Sequence, residues 1–238
     1  MTQELPAIKT KLSMEQMLAG LYTAWLNLFN EAPNKNSIIL LLSHGALESG
    51  NYNSMWCYNI GNIKSKDGDN RNWCFYKCNE LVPLTMGKAM VGSCDKDGGQ
   101  AIITGLSGNN CWIWFSPKNK YCRFRAFDSL TEGCVDYLSF LKYRYKPETG
   151  IWKAVEDGNV KLFCHLLRVN GYYTADETIY TNSVARKFDE LLKLKFDWDN
   201  LPIVSDAQKE KINSLVQINF DELSKNMELD KSSDSDNE

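Results

Sequence analysis

The chain has 238 residues, 43% of them apolar and 24% charged, with a formal net charge of -3 at pH 7. This is the composition of an ordinary globular protein with material for one full core, and it excludes collagen-like, low-complexity and wholly disordered classes. The charge is uneven: residues 221–238 carry seven acids against Lys225 and Lys231, a net of -5, which leaves +2 on residues 1–220. So small a surplus, with no basic stripe, argues against a nucleic-acid partner. No apolar run approaches the ~20 residues of a membrane span, and the opening "MTQELPAIKTKLSMEQ" lacks the apolar centre of a secretion signal, so no membrane partner is expected.

Residues 13–30, "SMEQMLAGLYTAWLNLFN", open with a capping box, Ser13 and Gln16, and set Met14, Met17, Leu18, Leu21, Trp25, Leu28 and Phe29 on one helical face. "APNKNS" follows as a loop, with Ser37 placed to cap a second helix. That helix is apolar nearly all round, as a buried central helix must be. Gly50 ends it and leaves Glu48 in its last turn. Between residues 65 and 125 the pattern changes to Gly, Asp and Asn with short aromatic or β-branched runs, "NWCFYKCNELV", "AIITGL" and "CWIWF", which predict short strands, hairpins and loops.

Helices return at Ser129, whose capping box with Glu132 starts a helix with Cys134, Tyr137, Leu138, Leu141 and Tyr145 on one face. "GIWKAVEDG" and "NVKLFCHLLRVNG" are short helices closed by Gly158 and Gly171. "DETIYTNSVARKFDELLKLKF" makes another, with Tyr180, Val184, Phe188, Leu191 and Leu192 inward. Residues 201–238 predict a polar helix and a solvated acidic end outside the domain at 1–200. The fold class is therefore α+β, mostly helical, with a helical lobe and a small β lobe at about 65–125 flanking a cleft.

A carboxyl at the end of an apolar helix is partly desolvated, which raises its pKa, and the negative end of the helix dipole acts in the same direction. Glu48 thus meets the requirement for a general acid, although such glutamates also serve as solvated surface acids. Glycoside hydrolysis uses an acid of this kind with a second group that handles the water or the positive charge. Tyr52, Trp56, Tyr58, Asn59 and Asn62, which follow Glu48, offer flat faces and amides suited to sugar rings. Strand alternation through "NWCFYKCNELV" puts Cys74, Tyr76, Cys78 and Glu80 on one face, making Glu80 the second carboxylate, while Asp67, Asp69, Asp95 and Asp97 read as solvated turn formers.

Only His44 and His165 are available for imidazole chemistry. His44, one turn before Glu48, reads as a satisfied core histidine within reach of it, and Cys164–His165 reads as core helix rather than as a nucleophile pair. Of the eight cysteines, Cys134 and Cys164 read as buried thiols. Cys74 and Cys78 with two of Cys94, Cys111 and Cys122 could supply zinc ligands, but C-x3-C is weakly diagnostic; no metal and no cofactor is expected.

"ALESGNYNSMWCYNIGNIKS", "FRAFDSLTEGCVDYLSFL" and "NGYYTADETIY" together resemble glucosaminidase-type peptidoglycan hydrolases of the lysozyme-like superfamily (glycoside hydrolase family 73) over about residues 14–195. The shared positions are Ala46, Glu48, Ser49 and Gly50; Asn59, Gly61, Asn62, Ile63 and Lys64; the "FRAFDS" strand into helix; and the "GYYT" motif. The resemblance implies a lysozyme-like hydrolase of glycan strands in peptidoglycan, an endo-β-N-acetylglucosaminidase or muramidase. Glu48 would be its general acid, Glu80 its second acid and Tyr172 or Tyr173 the cleft tyrosine, with Trp56, Tyr58, Asn59 and Asn62 against the sugar. A lytic transglycosylase and a non-catalytic glycan-binding or virion protein share these features. A lone domain of this kind without a signal is most like bacteriophage lysins and virion proteins, with release by host lysis and the C-terminal segment available to virion or tail proteins.

Overall fold

In the computed structural model residues 2–91 and 99–197 are described. The expectations for Cys94, Asp95, Asp97 and residues 201–238 lie outside them. The chain divides into two units, one of residues 10–61 with 128–197 and one of residues 2–9 with 62–127.

The first unit is helical. Helix α1 (Met14–Phe29) starts on the capping box as its sequence demands: Ser13 Oγ accepts from the Gln16 N–H and Gln16 Oε1 from the Ser13 N–H. Helix α2 (Lys35–Glu48) begins earlier than its sequence suggests, because Asn34 and not Ser37 is the cap. Asn34 Oδ1 accepts from the Ser37 N–H, and the Ser37 hydroxyl instead donates to the Glu156 carbonyl at 2.9 Å. Every residue of α2 from Ser37 to Ala46 is buried. Around it lie α4 (Leu130–Tyr143), α5 (Ile151–Glu156), α6 (Val160–Val169) and α7 (Glu177–Leu192), whose inward residues Tyr137, Leu138, Leu141, Phe163, Cys164, Leu167, Tyr180, Val184 and Leu191 join those of α1 and α2 in one core. Cys134 and Cys164 are buried thiols, and His165 faces outward to Glu177, so those two side chains form no nucleophile pair.

The second unit holds most of the strands, the two-residue strands β1 (Lys9–Thr10) and β2 (Met55–Trp56) lying at its border and outside it. "NWCFYKCNELV" is not one strand: β3 (Trp73–Phe75) pairs antiparallel with β7 (Arg123–Arg125), and β4 (Cys78–Pro83) pairs antiparallel with β6 (Asn110–Phe115). The third strand of the latter sheet, β5 (Ala101–Ser107), joins β6 through a tight hairpin. Between β4 and β5, where only strands and loops were expected, lies helix α3 (Leu84–Val91). Its signal is the spacing of Leu84, Gly87 and Met90, the part that turns inward. The fold class, α+β and mostly helical, is as expected.

Asp69 is a further correction. It is no solvated turn former but a buried carboxylate, with Oδ1 2.8 Å from Arg71 Nη1 and Oδ2 3.0 Å from Arg125 Nε, and both arginines are buried as well. Two guanidiniums taken from water need that anion. Asp69→Asn removes the charge and keeps the shape, and we expect it to destabilise the β unit by about 3 kcal/mol, read as a lower midpoint in urea unfolding.

Candidate active site

The site begins where α2 stops. After Glu48 the Ser49 hydroxyl turns back onto the Gly45 carbonyl at 2.6 Å and its oxygen accepts from the Tyr52 N–H. Gly50, Asn51 and Tyr52 then take left-handed backbone angles in succession, with φ of 58°, 54° and 60°. For a tyrosine that conformation is strained. It persists because the Tyr52 ring is wholly buried and its hydroxyl donates to the Leu42 carbonyl at 2.6 Å, in space that Gly45 leaves open; a Cβ there would lie 2.7 Å from the hydroxyl. The next segment is fixed against α4, where the Tyr58 carbonyl sits so close to Gly133 that a Cβ would be 2.1 Å away.

Glu48 is thereby held at the end of a buried helix with only 19% of its side chain exposed. Its Oε1 accepts a 2.6 Å hydrogen bond from the Tyr180 hydroxyl of α7 and lies 3.7 Å from His44 Nε2. The His44 ring, with no exposure, spans two phenols: Nε2 is 2.9 Å from the Tyr180 oxygen and Nδ1 2.5 Å from the Tyr137 oxygen. Burial lowers the His44 pKa to about 3, so the ring is neutral at physiological pH and has one N–H.

With the Tyr180 hydroxyl donating to Glu48, the remaining directions in the chain follow. The single Tyr180 proton goes to Glu48, so the Tyr180 oxygen must accept from His44, and His44 therefore carries its hydrogen on Nε2. Nδ1 is then an acceptor, and Tyr137 donates to it. The order is Tyr137 to His44 to Tyr180 to Glu48. Burial raises the Glu48 pKa above its ordinary 4.5, and the Tyr180 hydrogen bond offsets part of that rise by favouring the anion.

Two further tyrosines close around this chain. Tyr173 stacks on Tyr180 at 3.7 Å between ring centres and donates to the Cys164 carbonyl at 3.0 Å. Tyr172 packs against the His44 ring at 5.2 Å, and its hydroxyl reaches the Gly61 carbonyl at 3.1 Å. Burial and, after it, the Glu48 charge push the Tyr172 pKa up, whereas the rise at Tyr173, to about 12, comes first from burial and then from Cys164 and Glu177. Tyr172 is therefore the one of the pair electrostatically linked to Glu48.

The remaining sequence-predicted residues are placed as follows. Trp56 and Tyr58 are half-buried, and Tyr58 has a positive φ of 55°. Asn59 is 1% exposed, with its backbone N–H on the Trp56 carbonyl, so neither it nor Tyr52 presents its side chain to solvent. Asn62 and Glu80 belong to the other unit: Asn62 Oδ1 accepts from the Tyr76 hydroxyl at 3.2 Å, and Glu80 Oε1 is 3.0 Å from Lys64 Nζ. Among the described residues no group of three or more His, Cys, Asp or Glu side chains is placed to hold a metal ion.

Tyr180 and Tyr137 were read only as core positions. The available signal was chemical: a phenol set in the apolar stripe of Val184, Phe188 and Leu191 must find a partner for its hydroxyl when buried.

No protein-family model matches the chain, and no curated protein sequence matches it. Among solved structures the chain is similar to the C-terminally truncated glycoside hydrolase domain of FlgJ from Salmonella typhimurium, with a TM-score of 0.38 and 18% sequence identity, covering 77% of this chain and 100% of that one.

Proposed function

We propose that the protein is a glycoside hydrolase that cleaves β-1,4 bonds in the glycan strands of peptidoglycan, with Glu48 as its general acid. The observation that carries this reading is a carboxyl of raised pKa, partly open at the end of a buried helix, with one oxygen fixed by a phenol. The four ordered motifs of the sequence supply the substrate class.

With Oε1 accepting from Tyr180, the proton that Glu48 transfers sits on Oε2. Burial keeps that proton on Glu48 above the usual carboxylate range, the condition for protonating a leaving glycosidic oxygen near neutral pH. As the C–O bond breaks, the carboxylate left behind is stabilised by the Tyr180 hydroxyl, which His44 and Tyr137 keep oriented toward it. Glu80 is the proposed second carboxylate, assisting the water or the developing positive charge, and the substrate's own acetamido group takes that role if Glu80 proves dispensable. Tyr172, Trp56 and Tyr58 are the proposed sugar contacts.

Mass spectrometry of digested cell walls tests the reading directly. Reducing-end products, of glucosamine or of muramic acid, support it and name the bond cut. Anhydro ends would mean a lytic transglycosylase, and no release at all a non-catalytic protein. Glu48→Gln should lower product release by at least about 100-fold with the fold retained, and undiminished release would sink the assignment.

The same variant has a signature in stability. Because the folded Glu48 pKa is raised, the protonated side chain favours folding below pH 4.5, and that contribution is lost as pH rises through the folded pKa. Glu48→Gln does not titrate, so its melting temperature should exceed that of the unaltered protein at neutral pH, with the gap closing as the pH is lowered.

Tyr180→Phe removes the donor that lowers the Glu48 pKa. In a pH–rate profile its alkaline limb should therefore move to higher pH while kcat falls, whereas a purely structural tyrosine would leave the limb in place.

A further inference from the structure

The β unit contains a group of reactive side chains that glycoside hydrolysis does not use. Cys78, the first residue of β4, has its Sγ 3.6 Å from Cys122 Sγ and 3.6 Å from Lys64 Nζ. Lys64 also donates to Glu80 Oε1 at 3.0 Å and to the Tyr121 carbonyl at 2.5 Å, so its ammonium is anchored beside the sulfur. Cys78 is partly exposed, while Cys122 is buried.

The backbone keeps the two thiols close. The Tyr76 N–H bonds the Cys122 carbonyl, extending the pairing of Phe75 with Arg123 in β3 and β7, and Cys78 follows two residues later. A disulfide needs the sulfurs about 2 Å apart, so the two Sγ atoms must close a gap that starts at 3.6 Å.

The two thiols are also unlike each other. The hydrogen bond from Cys122, and after it the Lys64 charge, hold the Cys78 pKa below the usual thiol range against the opposing effect of burial. The same hydrogen bond and burial push Cys122 up, so it keeps its proton. In the thiol form Cys78 has the Tyr121 carbonyl as acceptor at 3.5 Å and Cys122 the Phe115 carbonyl at 3.3 Å; when Cys78 ionises, the Cys122 S–H and Lys64 both turn to its sulfur.

We propose that Cys78 and Cys122 form a peroxide-sensitive thiol pair, with Cys78 the attacking sulfur, Cys122 the resolving sulfur and Lys64 the cation that holds the thiolate. The Cys78 thiolate attacks one oxygen of hydrogen peroxide; the O–O bond breaks, and the leaving hydroxide takes a proton to become water, giving Cys78–SOH. The Cys122 sulfur then attacks the Cys78 sulfur, the S–O bond breaks, and the second hydroxide leaves as water with the Cys122 proton. Two thiols are oxidised to one disulfide, and one peroxide is reduced to two waters. The product ties β4, which carries Glu80, to the residue that enters β7, and encloses the β5–β6 hairpin in a covalent loop. This pair lies wholly in the β unit, so it stands whether or not the chain is a glycosidase.

The test uses the full chain, reduced, freed of reductant and treated with stoichiometric hydrogen peroxide at neutral pH, then alkylated and mapped by peptide mass spectrometry. The expected result is loss of two of the eight titratable thiols, one cross-linked peptide joining Cys78 to Cys122, an upward shift in melting temperature, and reversal of all three by dithiothreitol. Cys122→Ser should stop the reaction at a Cys78 sulfenic acid trapped by dimedone, with Cys78→Ser as the control that gives neither adduct nor bridge. Lys64→Gln should slow peroxide consumption by about threefold to tenfold. Eight unchanged thiols, a bridge between any other pair, or a Cys78 sulfenic acid that persists in the unaltered protein would each overturn the proposal.

Discussion

A neutral histidine with nowhere to put a charge is the constraint on which the helical unit depends. His44 lies inside α2 with no exposure, and its two nitrogens meet two phenols. Because the ring can supply only one hydrogen, it makes one phenol a donor to itself and forces the other to donate onward. Tyr180 therefore points its proton at Glu48, and the carboxyl is oriented from three residues deep in the core. Nothing at the surface is needed to aim it.

That arrangement needs a helix whose whole circumference is covered. A ring of this kind placed on an amphipathic helix would meet water on one side, and its pKa would return toward the ordinary range. Here the covering comes from several elements at once: Tyr137 from α4, Phe163 from α6, Tyr180 from α7 and Tyr172 from the segment between the last two all lie against the His44 ring. The left-handed turn of Gly50, Asn51 and Tyr52 belongs to the same design. It sends the chain away immediately beyond Glu48 and returns the Tyr52 ring into the core, so the helix end stays packed while the carboxyl remains partly open.

Much of this was legible in the sequence, and the reasons for the rest are physical. The Ser13–Gln16 capping box and the Ser129 cap gave their helix starts because capping is a local device, although the Glu132 carboxylate accepts from the Asp128 N–H, one residue earlier than a capping box requires. The start of α2 was misread because Asn34 and Ser37 are both good caps, and the choice between them rests on the Glu156 carbonyl, 119 residues from Ser37, which draws the Ser37 hydroxyl away. Helix α3 was missed because its inward stripe is short and contains a glycine. Asp69 looked like a turn former because its burial depends on Arg125, 56 residues away and outside any local window, as well as on Arg71 beside it. The place of Glu48 at the end of α2 was legible because that helix end is local, whereas its partner Tyr180 is 132 residues away and carries the same apolar periodicity as a core tyrosine.

The two titratable groups of this core also act on the fold in opposite directions. His44 binds its proton far more weakly when folded than when unfolded, so the stability it allows is complete above its ordinary pKa of 6.5 and is lost as pH falls toward about 3. Glu48 holds its proton more strongly when folded, so the stability it allows is complete below 4.5 and is lost as pH rises. The state in which neither group is charged is thus the one the core favours, and it is also the state in which a general acid is loaded. An ionised Glu48, which this core disfavours, is the state the proposed general acid would reach on donating its proton. The Tyr180 hydroxyl is the concession to that step: it lowers the cost of the anion without removing the desolvation that keeps the proton in place beforehand. In the proposed mechanism, stability and reactivity are therefore set by the same burial, and weakening it would gain one only by reducing the other.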